Sequence, residues 1–95
     1  MIDFSHANSS KNPQKQVEVG MDVARQVAAG EDRIFGIMVE SHLKAGRQDL
    51  VPGRSLAYGQ SITDGCIGWE DSRKLLDTLA EGVRARRVKL LEAEQ

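Results

Sequence analysis

A single cysteine, Cys66, is all that the 95-residue chain offers to redox chemistry. An internal disulfide is thereby excluded, and the composition suits a reducing cytosol. An excess of charge is missing too: 13 Lys and Arg stand against 14 Asp and Glu, a net charge of -1. No global basic field invites nucleic acid, and no basic block marks a membrane surface. The late basic cluster Arg84-Ala85-Arg86-Arg87 falls near the end of a predicted helix, where solvated cations complement the helix dipole. No apolar run is long enough to span a bilayer. Met1-Ile2-Asp3-Phe4 has neither the positive start nor the long apolar stretch of a signal peptide. Local metal motifs such as paired cysteines or HExxH are absent. What remains, 40% hydrophobic and 28% charged, is the composition of one small globular domain spanning residues 1–95.

The densest apolar run is Ile34-Phe35-Gly36-Ile37-Met38-Val39, followed by Glu40-Ser41. A short run of this kind, bounded by turn residues, predicts a strand over 34–41 buried on both faces, as in a parallel sheet. Met1 to His6 predicts another, with Ile2, Phe4 and His6 on one face and Asp3 and Ser5 on the other. A strand that opens at the first residue suggests a polypeptide cut from something longer. Between the two strands, Ser10 or Asn12 can cap a helix that takes Pro13 in its first turn and runs to Ala29. Its stripe is Val17, Met21, Ala24 and Ala28, widened by Val23 and Val27, with Gly20 interrupting and Gly30 stopping it. From His42 to Gly68 the chain is irregular and dotted with glycine. Leu50, Val51, Leu56, Tyr58, Ile62 and Ile67 imply that this segment packs onto something. A second helix is predicted over 70–88, acidic in its first turn, with Leu75, Leu76, Leu79 and Val83 as its buried stripe. Residues 88–95 extend it or fray. The order is strand, helix, strand, long loop, helix: an α/β fold built on a right-handed βαβ unit. Two strands and two helices cannot cover both faces of such a sheet, so the unit reads as a slice of something larger.

His6, Glu40 and Asp64 are the candidates for chemistry. The first two close successive parallel strands and should emerge at one sheet edge, where α/β folds place their sites. Asp64 lies on the loop leaving the second strand, over the same edge. An imidazole and two carboxylates form a sound shell for a divalent transition metal, with positions left open for substrate. The same residues have structural uses. His6 can hydrogen-bond in the Asn8-Ser9-Ser10 region, Glu40 can pair with a lysine, and Asp64 can shape an Asx turn with Gly65. Cys66 reads as a small packed hydrophobe. His42 is either a loop hydrogen-bonder or a supporting residue of the site. Asp3, in a buried strand, must find a partner and reads as structural.

Three stretches carry a more specific signal. Asp3-Phe4-Ser5-His6-Ala7-Asn8-Ser9-Ser10-Lys11 closely resembles the histidine motif of the type I 3-deoxy-D-arabino-heptulosonate 7-phosphate (DAHP) synthases. Gly36-Ile37-Met38-Val39-Glu40-Ser41-His42-Leu43 and the run from Leu56 to Asp71, LAYGQSITDGCIGWED, resemble two further motifs of that family. The likeness extends from Met1 to about Arg87 and leaves the tail uncovered.

The resemblance implies a (β/α)8 barrel, of which this chain is the C-terminal two βα units. It implies an enzyme that condenses phosphoenolpyruvate with erythrose 4-phosphate, the first step toward aromatic amino acids. Carbon C3 of phosphoenolpyruvate attacks the aldehyde, water adds at C2 and phosphate leaves. It implies a divalent metal ion (Mn, Fe, Co or Zn) held by His6, Glu40 and Asp64. The family's fourth ligand, a cysteine near the first strand, has no counterpart, and Cys66 does not replace it. The Lys and Arg clusters that bind substrate phosphates belong to earlier strands. The chain alone should therefore be inactive, self-associating or pairing with the missing barrel segments. The alternatives are a non-catalytic association module that docks through open strand edges, and one half of a split enzyme.

Overall fold

A computed structural model describes residues 1–93. Five elements succeed one another: β1 (Ile2–Asp3), α1 (His6–Ser9), α2 (Pro13–Ala28), β2 (Ile37–Met38) and α3 (Trp69–Ala93). The strands pair in parallel, with Ile2 opposite Ile37 and Asp3 opposite Met38. Ile2 N donates to Gly36 O at 3.0 Å and Phe4 N to Met38 O at 2.8 Å. The result is a small mixed helix and strand unit: strand, helix, strand, loop and helix follow in the expected order, with the one-turn α1 added where no helix is expected.

Both strands are much shorter than the predicted 1–6 and 34–41. β1 ends early because the Asp3 carboxylate draws the chain into a turn. Its Oδ1 accepts from Ser5 N at 2.7 Å and from Ser5 Oγ at 2.5 Å. A short acidic side chain that bonds the backbone two residues on competes directly with the strand ladder. His6 consequently opens α1 in a left-handed conformation, φ 50°, and does not extend the strand. The run 34–41 is not buried on both faces either: Ile37 and Met38 are half-buried and Phe35 is 83% exposed. Helices α2 and α3 form the cover, and no second layer lies on the sheet among the described residues.

Asn12 caps α2, its side chain accepting from Gln14 N at 3.0 Å, and Pro13 follows in the first turn. The buried face is Gln16, Gly20, Val23, Ala24 and Val27, rotated from the predicted stripe so that Met21 is exposed. Gly20 is the reason. A Cβ there would lie 2.3 Å from Leu75 Cδ1 and 3.1 Å from Phe4 Cε2, so this glycine is the contact point of α2 with α3 and with Phe4, the residue after β1. The core joins Phe4, Val23, Val27, Ile67 and Leu75, with Ile2, Ile37, Val39, Leu79 and Val83 packed around it.

α3 starts one residue before the prediction and continues past residue 88 through Ala93; the last two residues of the expected tail lie outside the described range. Leu75 is buried, but Leu76, expected in the same stripe, is 59% exposed. The basic cluster is not wholly solvated, and it lies within the helix rather than at its end. Arg86 donates to Glu31 O at 2.9 Å and to Ile34 O at 2.8 Å, tying α3 to the turn that leads into β2.

The segment from His42 to Gly68 is ordered by its own polar groups. Ile67 continues the sheet as an isolated parallel bridge to Ser41, donating to Glu40 O at 3.0 Å and accepting from His42 N at 3.0 Å. Gln48 holds Ala57 and Gln60, and Gln60 holds Ala45. Of the six apolar residues expected to pack, Ile67 alone is buried; Leu50, Val51, Leu56, Tyr58 and Ile62 are exposed. Amide side chains bonding across the loop replace the apolar contacts the composition suggested.

Candidate metal centre

The site is built where β1 and β2 end. The turn at Asp3-Phe4-Ser5 throws the His6 ring over the sheet edge. β2 then carries the chain to Glu40, whose side chain points back at that ring. His6 Nε2 lies 2.8 Å from Glu40 Oε1 and 3.7 Å from Asp64 Oδ2. One donor atom from each of the three residues falls within 4.8 Å of the others. They line a small cleft of about 30 Å³ together with Ser5, Ser9, Lys11 and Gln16.

Each residue is held differently. Glu40 is the most enclosed, its side chain 17% exposed, and its peptide is fixed on both sides. Gln16, buried on α2, accepts from Glu40 N at 2.8 Å and donates to Glu40 O at 3.2 Å. Ile67 N adds a second donor to that carbonyl. Asp64 is the most exposed of the three. Its carbonyl accepts from the Cys66 thiol at 3.5 Å, and Gly65 beside it rests on the Pro13 ring. The His6 ring is gripped through Nδ1, 2.9 Å from Ser5 Oγ and 3.0 Å from Asp3 Oδ2.

These contacts set the electrostatics. Hydrogen bonds from Ser5, then from His6, hold the Asp3 carboxyl down at about 2. The Asp3 hydrogen bond raises the imidazole of His6 above its ordinary value, against an opposing loss of hydration; the Glu40, Asp3 and Asp64 charges add to the rise. Burial pushes the Cys66 thiol up, which disfavours the thiolate a metal ligand would need.

The three residues singled out from the sequence are thus brought together, and Cys66 and His42 stand outside the group. His42 is a loop hydrogen-bonder, its Nδ1 accepting from Leu43 N at 2.8 Å. Glu40 faces His6 rather than a lysine. Gln16 went unnoticed in the sequence. A glutamine in an amphipathic helix reads as solvated, and only its position among Val23, Ala24 and Val27 on the buried face hinted otherwise.

The model of the DAHP synthetase I family matches residues 1–77. The chain belongs to that family. Phospho-2-dehydro-3-deoxyheptonate aldolase of Haemophilus influenzae is 63% identical over 87 residues, which are 92% of this chain and 24% of that protein. The Phe-sensitive enzyme of the same name from Escherichia coli is 62% identical over 87 residues, 92% of this chain and 25% of its own. Among solved structures, phospho-2-dehydro-3-deoxyheptonate aldolase from Francisella tularensis superposes with a TM-score of 0.82 at 45% identity, covering 90% of this chain and 25% of that one. The chain therefore spans about a quarter of the length of the relatives it matches. Among the described residues no helix is long and apolar enough to cross a membrane.

Proposed function

We propose that this chain forms the last two βα units of a DAHP synthase (β/α)8 barrel and supplies three ligands of its divalent metal centre. The observation that carries this reading is the convergence of His6 Nε2, Glu40 and Asp64 at the edge where two parallel strands end. The donor set fits such an ion. Two donors each about 2.1 Å from a shared ion lie roughly 3–3.4 Å apart, and the observed 2.8 and 3.7 Å bracket that spacing. One nitrogen and two carboxylates suit Mn²⁺, Fe²⁺, Co²⁺ or Zn²⁺ alike. His6, Glu40 and Asp64 would hold the ion, and when bound it would supply Lewis acidity toward the aldehyde oxygen of erythrose 4-phosphate.

The chain's own residues do the positioning. Gln16 and Ile67 fix the peptide of Glu40, so that its carboxylate stays aimed at the cleft. Asp64 closes the cleft from the loop side, and Lys11 stands at its rim. Among the described residues Lys11 is the one cation lining the cleft, and clamping two phosphorylated substrates is a role for the other strands of the barrel. Both edges of the β1–β2 pair fit hydrogen-bonding to such neighbours.

A graft tests this. In the Escherichia coli relative, the matching quarter is replaced by residues 1–87 of this chain. The graft should consume phosphoenolpyruvate only when erythrose 4-phosphate is present, and its His6→Ala form should be folded and inactive. The chain alone should turn over nothing. A folded graft without activity would overturn the proposal.

A further inference from the structure

A neutral imidazole has one N–H to place, and the surroundings of His6 decide where. Ser5 Oγ lies 2.5 Å from Asp3 Oδ1; a carboxylate only accepts, so the serine proton is committed to Asp3. The same Ser5 Oγ is 2.9 Å from His6 Nδ1 and therefore faces it with a lone pair. Asp3 Oδ2, 3.0 Å from Nδ1, faces it with another. Nε2 faces an acceptor as well, Glu40 Oε1 at 2.8 Å; a neutral ring has one hydrogen for the two sides, and Nδ1, where two acceptors converge, carries it. Nε2 keeps its lone pair and points it at Glu40 Oε1 and Asp64 Oδ2. A lone pair set against two carboxylates is the arrangement that calls for a cation between them.

We infer that Asp3 is the positioning residue of the centre: directly and through Ser5, its carboxylate fixes the tautomer and plane of His6 so that Nε2 faces the Glu40–Asp64 pair. This deepens the metal-centre reading and, for its effect on the ion, rests on it. Asp3 is itself well anchored. It pairs with Met38 in the sheet, its Oδ1 takes Ser5 N at 2.7 Å, and its carbonyl takes Asn8 Nδ2 at 2.7 Å. Alternation along a strand would have put Asp3 on the face opposite His6; the left-handed step at His6 brings the two together. Partners of this kind, bonded to the far nitrogen of a ligating histidine, typically change metal affinity about 10- to 100-fold when lost.

Two readouts on the ¹⁵N-labelled chain test the role. Long-range ¹H–¹⁵N spectra of the metal-free protein, taken on the alkaline plateau of the His6 shifts where the imidazole is neutral, report the His6 tautomer. Wild type should show Nδ1–H, and Asp3→Ala should move His6 toward Nε2–H. Asp3→Asn, which keeps an acceptor, should retain Nδ1–H. Titration with Zn²⁺ should show binding about 10- to 100-fold weaker in Asp3→Ala, partly recovered in Asp3→Asn. Glu40→Ala should lose Zn²⁺ while keeping Nδ1–H. The tautomer is read without metal, so a wild-type chain that ignores Zn²⁺ would sink the metal centre and still leave Asp3 to be judged by the spectra. If Asp3→Ala fails to fold, Ser5→Ala decides: Nδ1–H should persist through the direct Asp3 bond. Nε2–H in wild type or in Ser5→Ala, or an unchanged tautomer in a folded Asp3→Ala, would overturn the role.

Discussion

Gln16 is 1% exposed, and both ends of its amide are spent on the backbone of Glu40. Replacing it with leucine keeps the volume but orphans Glu40 N, since Ile67 satisfies only the carbonyl. A buried amide left without a partner costs about 1–3 kcal/mol. Gln16→Leu should therefore lower the urea midpoint at unchanged slope and weaken metal binding with it. Acid should act through other groups. Asp3 and Glu31 are both held near 2, Asp3 by Ser5 and His6, Glu31 by Arg33. Their unfolded values are about 4, so their stabilising effect is full above that range and disappears as pH falls toward 2. His6 runs the other way. Its raised folded value gives stability that is present below about 6.5 and lost as pH rises through the folded value. Urea midpoints should thus decline on both limbs, and Asp3→Asn should flatten part of the acid one. At this scale the sequence was legible where chain order alone places a residue, as for His6, Glu40 and Asp64. It was silent where a turn redirects a side chain, as at Asp3, or where a polar residue sits on a buried helical face, as at Gln16.

The two long helices meet at glycines, and that contact separates propensity from packing. Gly82 of α3 lies so close to α2 that a Cβ would stand 2.9 Å from Ala24 O. Helix propensity alone favours Gly82→Ala by about 1 kcal/mol. The obstacle is backbone, which cannot swing aside, and overpacking of this kind costs about 1–3 kcal/mol. Packing should win. Gly82→Ala is expected to lower the thermal midpoint, whereas Gly53→Ala, with nothing within 4 Å, should be affected only by its own positive φ of 82°. Capping and periodicity gave the sequence reading α2 and α3 to within a few residues, because Asn12, Pro13 and the acidic first turn of α3 are local signals. The rotation of α2 that exposes Met21 was not legible, since it depends on which glycine faces a neighbour. The exposed loop residues Leu50 and Tyr58 misled for a similar reason: apolar character does not say that a partner surface is present.

The molecule as a whole is extended for its length. Its radius of gyration is 16.3 Å and its longest extent 65 Å, whereas a compact domain of this size has a radius of roughly 12 Å. Among the described residues, Phe35, Met1 and the open edges of β1 and β2 leave apolar surface and strand hydrogen-bonding groups without cover. At about 25 cal/mol per Å² of apolar area, a few such side chains amount to several kcal/mol, comparable with the roughly 5–15 kcal/mol that stabilises a whole domain. The isolated chain should accordingly melt at a temperature that rises with its concentration, with larger species in sedimentation. A strictly monomeric, concentration-independent melt would mark it as self-sufficient.

The central claim is that His6, Glu40 and Asp64 act together on one ion, and calorimetric titration of the chain with Zn²⁺ or Mn²⁺ tests it most directly. The account predicts one site per chain, abolished by His6→Ala or Glu40→Ala and weakened by Asp64→Ala, with Cys66→Ala and His42→Ala unchanged. Binding that survives in the His6 and Glu40 variants, or that vanishes with Cys66, would contradict it.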